Sequence, residues 1–264
     1  MTTNEKALLL HEEWKGKLKT TSKAKVASRE DLALAYTPGV AEPCKVIAAD
    51  PEAAYRYTIK SNTIAVVSDG SAVLGLGNIG PLAAMPVMEG KAVLFKEFGG
   101  VNAFPICLDT QDTQEIIETV VRIAPAFGGI NLEDISAPRC FEIEEALKER
   151  LDIPVFHDDQ HGTAIVVLAG VINSLKLTGK KKEDCRVVVN GAGSAGIAIT
   201  KLLLTYGFAH ITMCDRSGIL SRGADDLNWM QEKMMDVTNL DHRTGTLADA
   251  MKGADIFVGV SAPG

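Results

Sequence analysis

A strand that runs directly into a glycine-rich turn and then into an apolar helix limits this 264-residue chain to few folds. The segment RVVVNGAGSAGIAITKLLLTYG places Gly191, Gly193 and Gly196 in G-x-G-x-x-G spacing after a predicted strand at 186–189. The first glycine allows a tight turn, the second lets the backbone approach a pyrophosphate, and the third allows close packing of helix and strand. The motif therefore predicts a Rossmann-like dinucleotide-binding domain, in which the helix N-terminus supplies phosphate-binding donors.

The next predicted strand, at 210–214, ends at Asp215, where a carboxylate can accept hydrogen bonds from the adenosine ribose. Asp215 mildly favours NAD over NADP by repelling a 2′-phosphate, although Arg216 and Arg222 are near enough in sequence to offset this repulsion. The alternative is a glycine-rich turn that holds no ligand. The predicted cofactor-binding residues are Asn190, Gly191, Gly193, Ser194, Ala195, Gly196 and Asp215.

A second G-x-G-x-x-G occurs at Gly75, Gly77 and Gly80, within SDGSAVLGLGNIGPL. Pro81 follows at once, and no clear acid-terminated strand lies about 20 residues further on. We therefore predict that these glycines form a backbone turn near the substrate and bind no dinucleotide.

The chain before residue 180 shows repeated strand-then-helix units. Strands are predicted at 63–67, 102–108, 127–132 and 154–157, and helices at 4–18, 29–35, 86–97, 112–124, 138–149 and 162–177. The four later helices have the length expected of crossovers between parallel strands. We expect an α/β chain with a first domain over 1–161 and a dinucleotide-binding domain over 162–264, with the basic stretch TGKKKED as an exposed connection.

Composition excludes several classes of partner and compartment. The chain is 46% hydrophobic and 23% charged, with a net charge of −7, which disfavours nucleic acid and anionic membranes as partners. The apolar run at 7–10 is far shorter than the roughly 18 residues of a membrane span. The five scattered cysteines indicate reduced packing residues. We expect a cytoplasmic protein with a small-molecule substrate.

Two pairs of carboxylates follow predicted strands. Glu133 and Asp134 end the segment GGINLED, and Asp158 and Asp159 follow PVFH just before a helix. Because the carboxyl ends of parallel strands share one edge of a sheet, we expect all four carboxylates to converge. Mg²⁺ or Mn²⁺ would offset their repulsion, since hard cations prefer oxygen ligands. The alternative is that Asp158 or Asp159 caps the helix.

Two histidines and a lysine complete the candidate residues. His157 and His161 are four residues apart, but they belong to a strand end and a helix start, so we interpret them as structural and a zinc site as the weaker alternative. Lys91 has apolar helical neighbours on both sides, which predicts that it lies on the buried face of its helix. Burial favours a neutral amine that can act as a general base. The alternative is a snorkelling stem with an exposed ammonium.

These segments together resemble a known family. YTPGVAEPC, SDGSAVLGLGNIG, the Lys91 helix, INLEDI, VFHDDQHGTA and VNGAGSAG occur in the order seen in malic enzymes of the short bacterial type. The resemblance covers the whole chain. It implies metal-assisted oxidative decarboxylation of L-malate to pyruvate and CO₂ with NAD or NADP, oxaloacetate as a related ligand, and a homodimer.

The resemblance also implies roles for individual residues. Glu133, Asp134 and Asp159 correspond to metal ligands. Tyr36, at a predicted bend, corresponds to the general acid and Lys91 to the general base. Asp158 corresponds to a neighbour that orients the lysine or the metal.

The sequence departs from the family pattern in two places. Larger malic enzymes carry an arginine after the DGS motif, whereas Ala72 follows Ser71 here. After Cys185 we predict strands only at 186–189, 210–214 and 255–260, with one weak strand near Val237, whereas a complete dinucleotide fold has about six.

From the second departure we expect an incomplete dinucleotide-binding domain. Its edge strand would leave Ile256, Phe257 and Val258 poorly covered. A truncated chain of this kind is expected to oxidise little or no malate. The alternatives are a non-catalytic fragment that binds metal and dinucleotide, or an oxaloacetate decarboxylase or malolactic enzyme on the same scaffold.

Overall fold

The computed structural model describes residues 1–224 and 226–261. These residues form two compact units. The first unit comprises Met1–Leu132 with Ala146–Val155, and the second comprises Glu133–Glu145 with the chain from Phe156 onward. The chain therefore passes from one unit to the other three times.

The first unit begins with four helices, α1 (Thr3–Trp14), α2 (Arg29–Ala35), α3 (Ala41–Ala49) and α4 (Ala54–Tyr57). None of them contains a buried residue. The helix predicted at 4–18 ends earlier, at Trp14. Lys15 adopts a left-handed conformation with φ of 54°, which terminates the helix. The helix predicted at 29–35 is confirmed, with a capping box formed by Ser28 and Asp31.

The first sheet contains β1 (Thr63–Ser68), β2 (Asn102–Cys107), β3 (Gly129–Leu132) and β4 (Val155–His157) in the order β2-β1-β3-β4. Strand β1 pairs in parallel with β2 on one side and with β3 on the other. The helices α5 (Gly80–Gly99), α6 (Thr113–Ile123) and α7 (Arg139–Arg150) follow β1, β2 and β3 along the chain. The predicted parallel α/β arrangement is confirmed.

The second unit contains α8 (Asp158–Thr178), β5 (Arg186–Asn190), α9 (Ser194–Tyr206), β6 (His210–Asp215), β7 (Gly218–Ile219), α10 (Trp229–Met234), α11 (Leu247–Met251) and β8 (Ile256–Gly259). Its sheet has the order β7-β6-β5-β8. Strand β5 pairs in parallel with β6 and β8, whereas β7 is antiparallel to β6. Buried Val187, Val189, Ile199 and Leu203 form its core with residues of α8.

Three expectations for this unit need correction. Val237 lies in a turn after α10 rather than in a weak strand. The short strand β7 was not predicted, because two residues carry no alternating pattern. Strand β8 lies at the sheet edge as expected, with Phe257 48% exposed, but Val258 is buried against the core that contains Val187.

Helix α8 is, among the described residues, the one helix long and apolar enough to cross a membrane by length and composition alone. Its Ala164 and Val171 pack in the same core as β5 and α9. Core helices of globular proteins can have the same length and apolar composition, so this helix is weak evidence for a membrane span.

Candidate functional site

Three carboxylates meet in the second unit. Ligand oxygens of Glu133, Asp134 and Asp159 all lie within 4.8 Å of one another, and the first two side chains are buried. Glu133 and Asp134 directly follow β3, and Asp159 lies in the first turn of α8, directly after β4. The strand ends thus bring together three of the four carboxylates expected to converge.

The backbone of Asp134 holds this group together. Asp134 has a φ of 53°, the left-handed region that few residues other than glycine, asparagine and aspartate adopt. In this conformation its N–H donates a 3.0 Å hydrogen bond to Oδ2 of Asp159. The contact fixes one carboxylate oxygen of Asp159 relative to the end of β3.

Asp158 does not belong to the three-carboxylate group. Its Oδ1 lies along α8 against Gly162, where a Cβ would come within 2.3 Å of it. Three of the four carboxylates expected to converge thus form this group, and a role for Asp158 beside them stays a prediction. Asp158 and Asp159 are neighbours on a helix, so their side chains diverge by about 100° around its axis.

The capping alternative is also wrong. The N-cap position of α8 is His157, and no side-chain hydrogen bond caps the helix there. Asp158 and Asp159 occupy the first turn, where a negative charge interacts favourably with the helix dipole.

Among the described residues, the group of side chains close enough together to hold a metal ion consists of the three carboxylates. Neither histidine belongs to this group, so the structure gives no support to the zinc alternative. His161 Nε2 lies 2.7 Å from Oε1 of the buried Glu144. His157 is fully buried, and this burial lowers the pKa of its ring. Its Nδ1 lies 3.9 Å from Oδ2 of Asp159.

The neighbouring thiol of Cys140 is also kept neutral. Burial raises its pKa to about 12, and the carboxylates of Asp159 and Glu144 add to the effect. Because only the thiolate is a good metal ligand, the chemistry of the site is that of carboxylate oxygens.

The glycine-rich turn joins β5 to α9 as predicted. A Cβ on Gly191, whose φ is 117°, would lie 2.7 Å from the carbonyl carbon of Val260, and one on Gly196 would lie 1.7 Å from the Gly191 oxygen. A Cβ on Gly193 would meet nothing within 4 Å. Gly193, the N-cap of α9, therefore faces the open side of the turn. Before the turn, the Asn190 amide donates to Ser261 Oγ at 3.1 Å.

Asp215 is the last residue of β6 and accepts a 2.8 Å hydrogen bond on Oδ1 from the N–H of Ser217. Nearby in sequence, Arg222 forms an exposed ion pair with Asp236 at 2.7 Å. One of the two arginines that could offset the charge of Asp215 therefore has another partner.

The second glycine motif forms a turn between β1 and α5, as expected. Gly75, Gly77 and Gly80 all have positive φ values, between 73° and 76°. The Val73 N–H donates to the Gly77 carbonyl at 3.0 Å and closes the turn.

Lys91 and Tyr36 both belong to the first unit. Lys91 is half-buried in α5, beside a fully buried stripe of Ala84, Met88 and Ala92. Its neighbours Val87 and Leu94 are 39% and 49% exposed, so the expectation that Lys91 lies on the buried face is wrong in part. Lys91 lies at the edge of that face.

Tyr36 follows the last residue of α2 and precedes a cis Thr37-Pro38 peptide. The predicted bend is confirmed. Its side chain is 67% exposed.

The sequence reasoning missed two residues. Gly162 provides space for Asp158, and the signal available was a glycine within the otherwise helical pattern of VFHDDQHGTA. Gln231 donates a hydrogen bond from Nε2 to the carbonyl of Ala192 in the glycine-rich turn. Gln231 and Ala192 are 39 positions apart, and a local sequence pattern cannot predict a contact over that distance.

Two family models match the chain. The family described as "Malic enzyme, N-terminal domain" matches residues 15–148, and "Malic enzyme, NAD binding domain" matches residues 160–264. A NAD-dependent malic enzyme of Geobacillus stearothermophilus is 64% identical over 94% of the chain. A bifunctional malic/malolactic enzyme of Bacillus subtilis is 57% identical over the whole chain.

A solved structure of a NAD-dependent malic enzyme from Thermotoga maritima superposes with a TM-score of 0.94 at 52% identity. It covers 97% of the chain, and the match spans 68% of that structure. The chain spans 52% and 65% of the length of the Geobacillus and Bacillus relatives. On the evidence of both family matches and these relatives, the chain belongs to the malic enzyme family.

Proposed function

We propose that the chain catalyses the oxidative decarboxylation of L-malate to pyruvate and CO₂ with reduction of NAD or NADP. The observation that carries the proposal is the group of three carboxylates within 4.8 Å, in the same compact unit as the glycine-rich turn. A metal-assisted redox decarboxylation requires an oxygen-rich cation site and a dinucleotide site. The names of the relatives support the same reaction.

Glu133, Asp134 and Asp159 would hold the divalent cation, Mg²⁺ or Mn²⁺. The donor set is purely carboxylate, which suits a hard cation. Bound there, the cation would supply Lewis-acid chemistry, and the nicotinamide cofactor would supply the hydride acceptor.

The remaining chemistry is proton transfer by side chains of this chain. Lys91 would remove the proton from the C2 hydroxyl of malate, and Tyr36 would deliver a proton to C3 after CO₂ has left. Asp158, adjacent to the ligand Asp159, would orient the reacting groups. The family motifs around these residues support the assignment.

NAD is proposed as the preferred cofactor. The Asp215 carboxylate at the end of β6 suits the two ribose hydroxyls of NAD and repels the 2′-phosphate of NADP. The ion pair of Arg222 with Asp236 weakens the main cationic alternative.

We propose a cytoplasmic homodimer without nucleic-acid or membrane partners. Helices α1 to α4 contain no buried residue and expose apolar side chains, among them Leu8, Leu34, Val46 and Tyr57. Exposed apolar surface of this kind is typical of an interface. The net charge of −7 opposes binding to nucleic acid and anionic membranes.

Two alternatives remain. The name of the Bacillus relative favours a malolactic reaction, in which malate becomes lactate and CO₂ without net release of NADH. The span of 52% and 65% of the relatives favours a fragment that binds metal and dinucleotide without turnover.

One assay separates these functions. The purified chain, with its intact mass verified, is incubated with L-malate, Mn²⁺ and NAD while NADH absorbance, pyruvate and lactate are measured. The proposal predicts NADH and pyruvate in equal amounts, whereas the incomplete dinucleotide-binding domain expected from the sequence predicts little or no malate oxidation. Lactate without NADH would support the malolactic reaction, and binding of NADH and Mn²⁺ without any product would support the non-catalytic fragment.

A further inference from the structure

A buried glutamine connects α10 to the glycine-rich turn of the same unit. Gln231 is 9% exposed, and its Nε2 donates a 3.2 Å hydrogen bond to the carbonyl oxygen of Ala192, which is itself buried. Ala192 lies between Gly191 and Gly193, at the second position of the G-x-G-x-x-G motif.

The orientation of this side chain is fixed at both ends. Gln231 Oε1 accepts a 2.9 Å hydrogen bond from the N–H of Asn228, while Asn228 Oδ1 accepts from the N–H groups of Met230 and Gln231. These contacts form a capping box at the start of α10. Because the oxygen must face an N–H and the amide nitrogen must face a carbonyl, only one orientation of the amide satisfies both contacts.

The contact determines the orientation of the peptide between Ala192 and Gly193. In a planar trans peptide the C=O and the following N–H point in opposite directions. Because Gln231 holds the Ala192 carbonyl, the Gly193 N–H points to the opposite side, away from Gln231. The first N–H groups of a helix have no partner within it and are available to a phosphate.

The surroundings of the glycines indicate where a ligand can approach. Backbone atoms occupy the space where a Cβ on Gly191 or Gly196 would lie, whereas the corresponding space at Gly193 is open. The turn is therefore held by backbone at two glycines and by Gln231 at Ala192, and its open side is at Gly193.

We propose that Gln231 is a positioning residue for dinucleotide binding, which presents the backbone of Gly193 and the start of α9 to the pyrophosphate. The inference rests on the proposed dinucleotide site and does not depend on the proposed malate reaction. It identifies the pyrophosphate as the part of the ligand whose binding depends on Gln231.

Gln231→Glu is the sharpest variant. A glutamate at this third helical position preserves the capping box with Asn228, but it places a carboxylate oxygen against the Ala192 carbonyl in place of a donor. The control is Glu232→Gln, the reverse exchange at the exposed next position of α10.

The binding of NADH, ADP-ribose and adenosine is measured by calorimetry on the full chain. We expect the dissociation constants of NADH and ADP-ribose to rise about tenfold in Gln231→Glu, as for the loss of one buried hydrogen bond with added repulsion. Adenosine lacks the pyrophosphate, so its affinity is expected to be unchanged, as is that of Mn²⁺. A general loss of structure would weaken all four.

If Gln231→Glu unfolds, Gln231→Met fills similar space without either hydrogen bond and is expected to show the same selective loss. Unchanged NADH affinity in both folded variants, or an equal loss for adenosine, would overturn the inference. A wild-type chain that binds no NADH overturns it together with the proposed cofactor site. A chain that binds NADH but oxidises no malate overturns the proposed activity alone.

Discussion

The backbone N–H of Asp134 donates to Oδ2 of Asp159 at 3.0 Å and thereby connects the ends of β3 and β4. The left-handed conformation of Asp134 makes this contact possible. Strained backbone of this kind concentrates at functional sites. In this unit it brings two candidate metal ligands together from positions 25 residues apart.

Asp159→Asn is expected to weaken metal binding without separating the two strand ends. The amide oxygen can still accept the Asp134 N–H, but the negative charge is lost, and hard cations depend on that charge. We expect the Mn²⁺ dissociation constant, measured by titration with EPR detection, to rise tenfold or more. Glu142→Gln, an exposed change on α7, is the control. Equal Mn²⁺ affinity in wild type and Asp159→Asn would contradict the assignment.

Lys91→Ala is expected to reduce malate oxidation by on the order of a hundredfold or more, as for loss of a general base. Lys96→Ala, an exposed lysine on the same helix, should leave the rate unchanged.

Tyr36→Phe is expected to impair the exchange of tritium from water into pyruvate more than the transfer of hydride from malate. The reason is that the phenol is proposed to protonate C3 only. An equal loss in both partial reactions would refute the division of roles between Tyr36 and Lys91.

Asp215→Ser is expected to shift the preference toward NADP because it removes a charge that repels the 2′-phosphate. The ratio of kcat/KM for the two cofactors is the measurement, and the Mn²⁺ affinity should not change. If the ratio stays constant, Asp215 is not the ribose ligand.

Two glycines of α8 provide a matched test of Asp158. Gly170→Ala meets nothing within 4 Å and should raise the free energy of unfolding by about 1 kcal/mol, through higher helix propensity. Gly162→Ala places its Cβ 2.3 Å from Asp158 Oδ1, so we expect a smaller gain in stability and a loss of malate oxidation. Urea unfolding and the NADH assay measure both effects, and identical behaviour of the two variants would exclude a role for the space at Gly162.

The stability of the second unit is expected to fall at acid pH through Asp255. Its side chain accepts hydrogen bonds from Lys180 and from the N–H of Arg186, and these lower its pKa, the lysine contact most. A carboxylate whose folded pKa lies below the unfolded value stabilises the protein above the unfolded pKa and loses this effect as pH falls through the folded value.

Asp255→Asn should therefore lower the thermal unfolding midpoint at pH 7, and the difference from wild type should shrink progressively as pH falls below about 4, the unfolded pKa of an aspartate, toward the lower folded pKa. Asp241→Asn, an exposed change in the same unit, is the control. A difference that is constant from pH 7 to pH 3 would exclude the carboxylate charge as its cause.

Local sequence patterns predicted most of the fold because the strands are short apolar runs and the helices have clear caps. The predicted strand at 102–108 ends one residue earlier, at Cys107, and the helix at 29–35 has the predicted bounds. The parallel order β6-β5-β8 follows the strand order expected of the glycine motif.

The errors arose where one residue's position depends on distant contacts. Pairing of strand ends correctly grouped Glu133, Asp134 and Asp159, but the rotation of side chains around α8 directs Asp158 to Gly162 instead. The exposure of Val87 and Leu94 depends on what packs against α5, which helical spacing does not specify.

The passage of the chain between its two units at 132/133, 145/146 and 155/156 has a consequence for dissecting the protein. A single proteolytic cut or gene split at any one of these junctions leaves part of one unit covalently joined to the other. A split at 132/133, for example, would leave Ala146–Val155 of the first unit on the C-terminal fragment. The N-terminal fragment would then lack part of the first unit, and that unit would be completed only if the two fragments reassociated.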